Sequence, residues 1–215
     1  MNKLMKNPLY TGLNALLCFG FAGILTCLLV SAYNMGPTPI DLAVLEFMVS
    51  IRNDFLNMVV SFITHCGDTI TIVALCAILV ILPTRKKYGF PVTISALLGL
   101  AIYKPMKHVF LRARPDVMYH IVEQGGYSFP SGHTTSSIIV YGILLYLIRK
   151  HCKNETLKNI LSAVCLVFIF CIGPSRLYVG VHWFTDVLAG AFIAMGVLNV
   201  VITVLERIYD KNESL

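Results

Sequence analysis

The sequence predicts an all-α, polytopic membrane protein with six transmembrane helices and one amphipathic helix at the outer face. Hydrophobic residues make up 57% of its 215 positions and charged residues only 13%, and the mean hydropathy is +0.76. Soluble chains are far more charged. The apolar residues also fall into separate runs with the charges gathered between them.

The first run, Leu13 to Ala32, follows Lys3 and Lys6. Val30-Ser31-Ala32 resembles a signal-peptide cleavage site, but the run is long for a leader and reads as an uncleaved anchor. Next, Asp41 to Thr64 sets Glu46, Ser50, Asn53, Asn57 and Ser61 at helical spacing, with Leu42, Leu45, Val49, Phe55, Leu56, Val59 and Ile63 largely opposite. This pattern predicts an amphipathic helix that caps the bundle or forms a lateral wall for a lipid. The remaining runs are Ile70 to Leu82, Phe90 to Tyr103, Ser137 to Ile148, Ile160 to Ile172 and Trp183 to Leu205. Some are shorter than the ~20 residues a bilayer requires, so these helices extend into flanking polar residues that face protein. Gly190 and Ala194, four apart, form a close-packing face in the last span. With no internal repeat or long linker, residues 1–215 read as a single domain.

Basic residues orient the chain. With both termini cytoplasmic, Lys3, Lys6, Arg85, Lys86, Lys87, Arg149, Lys150, Lys153, Lys158, Arg207 and Lys211 lie inside. The others, Arg52, Lys104, Lys107, Arg112, Arg114 and Arg176, lie at the outer face against that bias. The net charge of +6 is therefore mainly a topology signal and a contact for anionic membrane lipids. No basic patch interleaved with aromatics supports nucleic-acid binding. The seven cysteines include no CxxC pair, which predicts neither a disulfide nor a zinc site.

Ionisable groups nonetheless recur within the apolar region. In "SRLYVGVHWFTD", residues 175–186, Gly173-Pro174 is expected to break a helix and Trp183 to begin another. The i, i+4 spacing of His182 and Asp186 lets the carboxylate accept the imidazole Nδ1 proton and leaves Nε2 free, as a nucleophile or base requires. A structural histidine–aspartate pair explains that spacing equally well. In "SFPSGHTTSS", residues 128–137, Pro130 suits a helix start, and the amides after Ser131 and Gly132 can hold an anion beside His133. In "KPMKHVFLRARP", residues 104–115, Lys107 and Arg114 are seven apart and are expected on one helix face, with Arg176 as a third cation. Lys104 and Arg112 read as snorkelling side chains. Together these groups describe a phosphate site with a nucleophile.

Three patterns, Lys107-x6-Arg114-Pro115, Pro130-Ser131-Gly132-His133 and Ser175-Arg176-x5-His182-x3-Asp186, make the chain resemble the type 2 phosphatidic acid phosphatase superfamily. The resemblance implies a metal-independent, cofactor-free membrane phosphatase. In it His182 attacks phosphorus, Asp186 orients it, and His133 protonates the leaving oxygen and then activates water. Lys107, Arg114, Arg176, Ser131 and Gly132 hold the phosphoryl group, and Ser175 supports the Arg176 loop. The implied substrate is a lipid phosphate or diphosphate, with undecaprenyl diphosphate first, then phosphatidylglycerophosphate and phosphatidic acid. Two other readings compete. A metal hydrolase would use His133, His182 and Asp186 as ligands, which three nearby cations disfavour. An anion or lipid transporter has no need of a paired histidine and aspartate beside a second histidine.

Overall fold

The computed structural model describes residues 8–213, which form eight α-helices and, among the described residues, no strand. Lys3 and Lys6 lie outside them. The helices are α1 (Pro8–Tyr33), α2 (Pro39–Ser50), α3 (Asp54–His65), α4 (Thr69–Ile81), α5 (Gly89–Phe110), α6 (Gly132–His151), α7 (Glu155–Tyr178) and α8 (Phe184–Glu213). Each of the six apolar runs falls within one of the helices α1, α4, α5, α6, α7 and α8, apart from the end residues Leu82 and Trp183, which lie just outside α4 and α8.

Helix α6 is the centre, packed by α5, α7 and α8. Its Ile139, Val140, Ile143 and Leu147 are fully buried. Helix α1 lies along α8 and leaves Leu16, Leu17, Ile24 and Leu28 exposed, an apolar surface suited to lipid rather than water. Among the described residues, α1, α5, α7 and α8 are long and apolar enough to cross a membrane, and α3 with α4 makes a fifth candidate bent by 48°. Helix α6 is more polar because Ser, Thr and His crowd its first turns and Arg149, Lys150 and His151 its last.

Three local expectations are corrected. The helix expected over 41–64 is two helices. Arg52 leaves the helical path to donate to the carbonyls of Tyr178 (2.6 Å) and Tyr119 (2.9 Å), and Asn53 restarts the chain as the N-cap of α3, accepting from Leu56 N at 3.0 Å. Gly173-Pro174 does not break α7, which continues to Tyr178. A proline removes one ladder bond, its own to the Phe170 carbonyl, which a helix among packed neighbours tolerates, and the next residue keeps its turn closed, Ser175 Oγ donating to Ile172 O at 2.6 Å. Arg176 and Ser175 are thus helical, not part of a loop. Finally, α5 stops at Phe110, where Leu111 takes a left-handed φ of 49°, so Lys107 and Arg114 share no helix face.

Candidate active site

The site forms where α6 and α8 start. Ser131 is the N-cap of α6, and its N–H donates to Asp186 O at 3.0 Å, which ties the two helix starts together. Two glycines allow close packing here, Gly132 of α6 against α5 and Gly190 of α8 against α6. A Cβ on Gly132 would stand 2.8 Å from the Tyr103 ring, and one on Gly190 2.9 Å from Ser131 O. Gly190 therefore packs against α6, as the small-residue spacing predicts.

Asp186 is completely buried and makes three contacts. Its Oδ2 accepts from Trp183 N at 2.9 Å and lies 3.3 Å from His182 Nδ1, and its Oδ1 accepts from Arg112 at 2.7 Å. His182, 3% exposed, has Nε2 3.2 Å from an Arg114 nitrogen. A guanidinium only donates, so Nε2 accepts and Nδ1–H donates to Asp186. Burial, with Arg114, Lys107 and Arg176 nearby, pushes the His182 pKa well below its ordinary value and keeps the ring neutral. A neutral imidazole with its lone pair facing a cation is equipped to attack an electron-poor centre.

Three cations surround this point. Arg114 donates to the carbonyls of Val181 (2.6 Å), Gly126 (3.0 Å) and Tyr127 (3.1 Å). Its pKa is lowered by burial to about 10, so it stays charged at neutral pH. Lys107 Nζ donates to Tyr127 O at 2.8 Å and Ser128 O at 3.2 Å. Arg176, 1% exposed, donates to Thr64 Oγ1 at 2.7 Å and Gln124 Oε1 at 2.5 Å, and its buried Nε has no protein partner among the described residues. All three cations therefore meet the 124–128 loop, which joins Lys107 and Arg114 despite the early end of α5.

His133 closes the other side, its Nε2 2.6 Å from Asp68 Oδ1. A cavity of about 400 Å³ is lined by Lys107, Arg114, Gly132, His133, His182 and Gln124, with Lys104 also in its wall. Ser131 and Arg176 stand behind that wall, Ser131 as the helix cap and Arg176 through Gln124. The cavity shares Thr69, Leu100, Tyr103 and Ser136 with an apolar one of about 370 Å³, lined by Ile72, Val73, Cys76, Ala96 and Leu97 of α4 and α5. The chain thus has a cationic chamber and an adjoining apolar groove.

Arg112, expected to snorkel, is buried to 1%. Besides Asp186 it donates to Asp41 Oδ2 (2.8 Å), Thr185 Oγ1 (2.7 Å), Met35 O (3.0 Å) and Gly36 O (2.9 Å). With every N–H of the guanidinium used by a protein acceptor, snorkelling would leave two buried carboxylates uncompensated. Asp41 also accepts from Thr185 N at 2.8 Å and forms a capping box with Thr38. Sequence reasoning missed Asp41, Asp68 and Gln124. The Thr38-x-x-Asp41 box was legible as a helix start, but nothing local marked it as a partner of residue 112 or 186.

Residues 88–210 match the family pattern described as the PAP2 superfamily. The chain is 32% identical over 161 residues to phosphatidylglycerophosphatase B of Bacillus subtilis, covering 70% of this chain and 75% of that one. It is 29% identical over 140 residues to an undecaprenyl-diphosphatase of Sulfolobus acidocaldarius, covering 63% and 64%. The crystal structure of a transmembrane PAP2-type phosphatidylglycerolphosphate phosphatase from Bacillus subtilis superposes with a TM-score of 0.74 at 27% identity, covering 93% of this chain and 96% of that one. With the motif residues gathered around one cationic chamber inside a helical bundle, and the family pattern spanning more than half of the sequence, this chain belongs to the PAP2 superfamily.

Proposed function

We propose that the protein is a membrane lipid phosphatase that hydrolyses a lipid phosphate or diphosphate through a phosphohistidine on His182, without a metal ion. The observation that carries this reading is the His182 ring itself, with Nδ1 toward Asp186 and Nε2 toward Arg114. The Nε2 lone pair forms the N–P bond as the leaving oxygen departs with a proton from His133. Water then attacks phosphorus, gives its proton to His133, and the N–P electron pair returns to His182. Lys107, Arg114 and Arg176 compensate the charge on the phosphoryl oxygens, with the Gly132 amide and Ser131 at the α6 start. Arg176 acts on such an anion from behind the chamber wall through its charge, its buried Nε having no protein partner among the described residues. The two histidines pair with separate carboxylates, His182 with Asp186 and His133 with Asp68, the arrangement that a nucleophile and a separate proton carrier need.

The substrate's head group occupies the cationic chamber and its tail the groove between α4 and α5, so the lateral entry lies there rather than along 41–64. Undecaprenyl diphosphate is our first substrate, followed by phosphatidylglycerophosphate and phosphatidic acid. Relatives named for the first two activities support that pair over the third. Residues 1–215 act as one domain that crosses the membrane six times, with α3–α4 as one bent span, α6 as the central one, both termini cytoplasmic and the chamber outside.

The test is phosphate release by purified protein from the three lipids in excess chelator, with His182→Ala as the blank. Release well above the blank is expected, with Asp186→Asn severely slowed. Substantial activity in His182→Ala, or activity that only a divalent ion restores, overturns the mechanism.

A further inference from the structure

We infer that Asp68 is a positioning residue for His133, so that the site holds two histidine–carboxylate pairs, one for the nucleophile and one for proton transfer. The inference rests on the phosphohistidine reading above. Asp68 stands at the break between α3 and α4, at the N-cap position of α4, yet its side chain makes no capping bond. Its oxygens turn to two histidines instead: Oδ1 is 2.6 Å from His133 Nε2, and Oδ2 is 2.7 Å from Nδ1 of the exposed His65. Both neighbours of Asp68, Gly67 and Thr69, line the chamber. A carboxylate so close to a phosphate site repels the substrate, and its contact with His133 gives it an offsetting role.

That contact has a defined chemical consequence. A carboxylate only accepts, so His133 Nε2–H donates to Asp68 and the ring's exchangeable proton belongs to Nδ1. In the first step Nδ1–H gives its proton to the leaving oxygen as the N–P bond forms on His182. In the second, the water oxygen bonds to phosphorus, its proton returns to His133 Nδ1, and the N–P bond breaks. Asp68 balances the imidazolium present before the first transfer and again after the second, and between them it holds the neutral ring as the Nε2–H tautomer with the Nδ1 lone pair free to take the proton of water.

The two pairs therefore fail differently. A polyprenyl diphosphate has a good leaving group and needs little acid help in the first step, whereas phosphatidic acid expels an alkoxide and needs much. Asparagine is as good an N-cap as aspartate, so Asp68→Asn removes the charge without a cost to α4. Asp68→Ser, a second uncharged cap, repeats the measurement with different packing.

The experiment is rapid-quench measurement of phosphoprotein with polyprenyl diphosphate labelled in its terminal phosphate, together with steady-state kinetics on both lipids. In Asp68→Asn we expect phosphoprotein to accumulate and its decay to slow by roughly 10-fold or more. With the diphosphate, kcat and KM should fall together and leave kcat/KM within about 3-fold, whereas kcat/KM for phosphatidic acid should fall markedly. Unchanged decay, or equal slowing of formation and decay on the diphosphate, overturns the role of Asp68 while the phosphohistidine reading stands. No phosphoprotein in the unmodified protein, or the same amount in His182→Ala, overturns both.

Discussion

At His182 two neighbours of opposite sign divide the imidazole, with Asp186 on Nδ1 and Arg114 at Nε2. Burial and the cations lower its pKa well below the ordinary 6.5, so the ring remains neutral, and able to attack, as pH falls from neutrality through 6.5. Nuclear magnetic resonance of protein carrying nitrogen-labelled histidine, in detergent, should show no titration of His182 at 6.5 or above. A midpoint there contradicts the buried, cation-flanked ring. Arg112 carries a different load, since it is the shared counter-ion of Asp41 and Asp186, with all three side chains fully buried. Removing it in Arg112→Met strands two charges, and we expect a loss of about 3–5 kcal/mol in unfolding experiments, as for other broken buried pairs. A loss under about 1 kcal/mol would mean that Arg112 contributes no more than a surface ion pair.

At the scale of elements, the junction of α6 with α8 decides whether the chamber-lining turn at Gly132 keeps its shape. Even one methyl on Gly190 would press on the Ser131 carbonyl, which is backbone and cannot swing away. Gly190→Ala should cost about 1–3 kcal/mol, the range for overpacked interiors, and should lower phosphate release by displacing the α6 start. Gly20, in α1, meets nothing within 4 Å of an added Cβ. There the same substitution should stabilise by about 0.5–1 kcal/mol through helix propensity, with activity unchanged. Parallel thermal and activity measurements on the two variants separate helix packing from helix propensity, and equal effects would refute this account of α6 and α8.

For the whole molecule, the question is how a chain built for lipid presents a water-dependent chamber. The cationic cavity and the apolar groove meet at Thr69, Leu100, Tyr103 and Ser136, so a substrate can keep its head group among cations while its tail stays apolar. Ala96 lines the groove but not the chamber. Ala96→Phe should raise KM at least several-fold for a long-chain lipid phosphate and leave a short-chain, water-soluble analogue within about 2-fold, since even one methylene in a pocket is worth ~1–3 kcal/mol and a phenyl ring fills far more of the groove. Equal effects on both would place the tail elsewhere.

Much of this was legible in the sequence alone. Apolar runs mark helices because burying a backbone in lipid leaves few alternatives, and every run expected to span is helical. The motif residues Lys107, Arg114, His133, Arg176, His182 and Asp186 could be singled out because ionisable groups in so apolar a chain need a purpose. What only the tertiary structure decided was their pairing. Arg112 and Asp41 are 71 residues apart, and His133 and Asp68 are 65 apart, so no local period links them. Periodicity reports which face of a helix is apolar, whereas the partner of a buried charge depends on which helix ends the packing brings together. The same limit hid the break at Arg52, which distant carbonyl acceptors set, and the persistence of α7 through Pro174, a helix packed along α6.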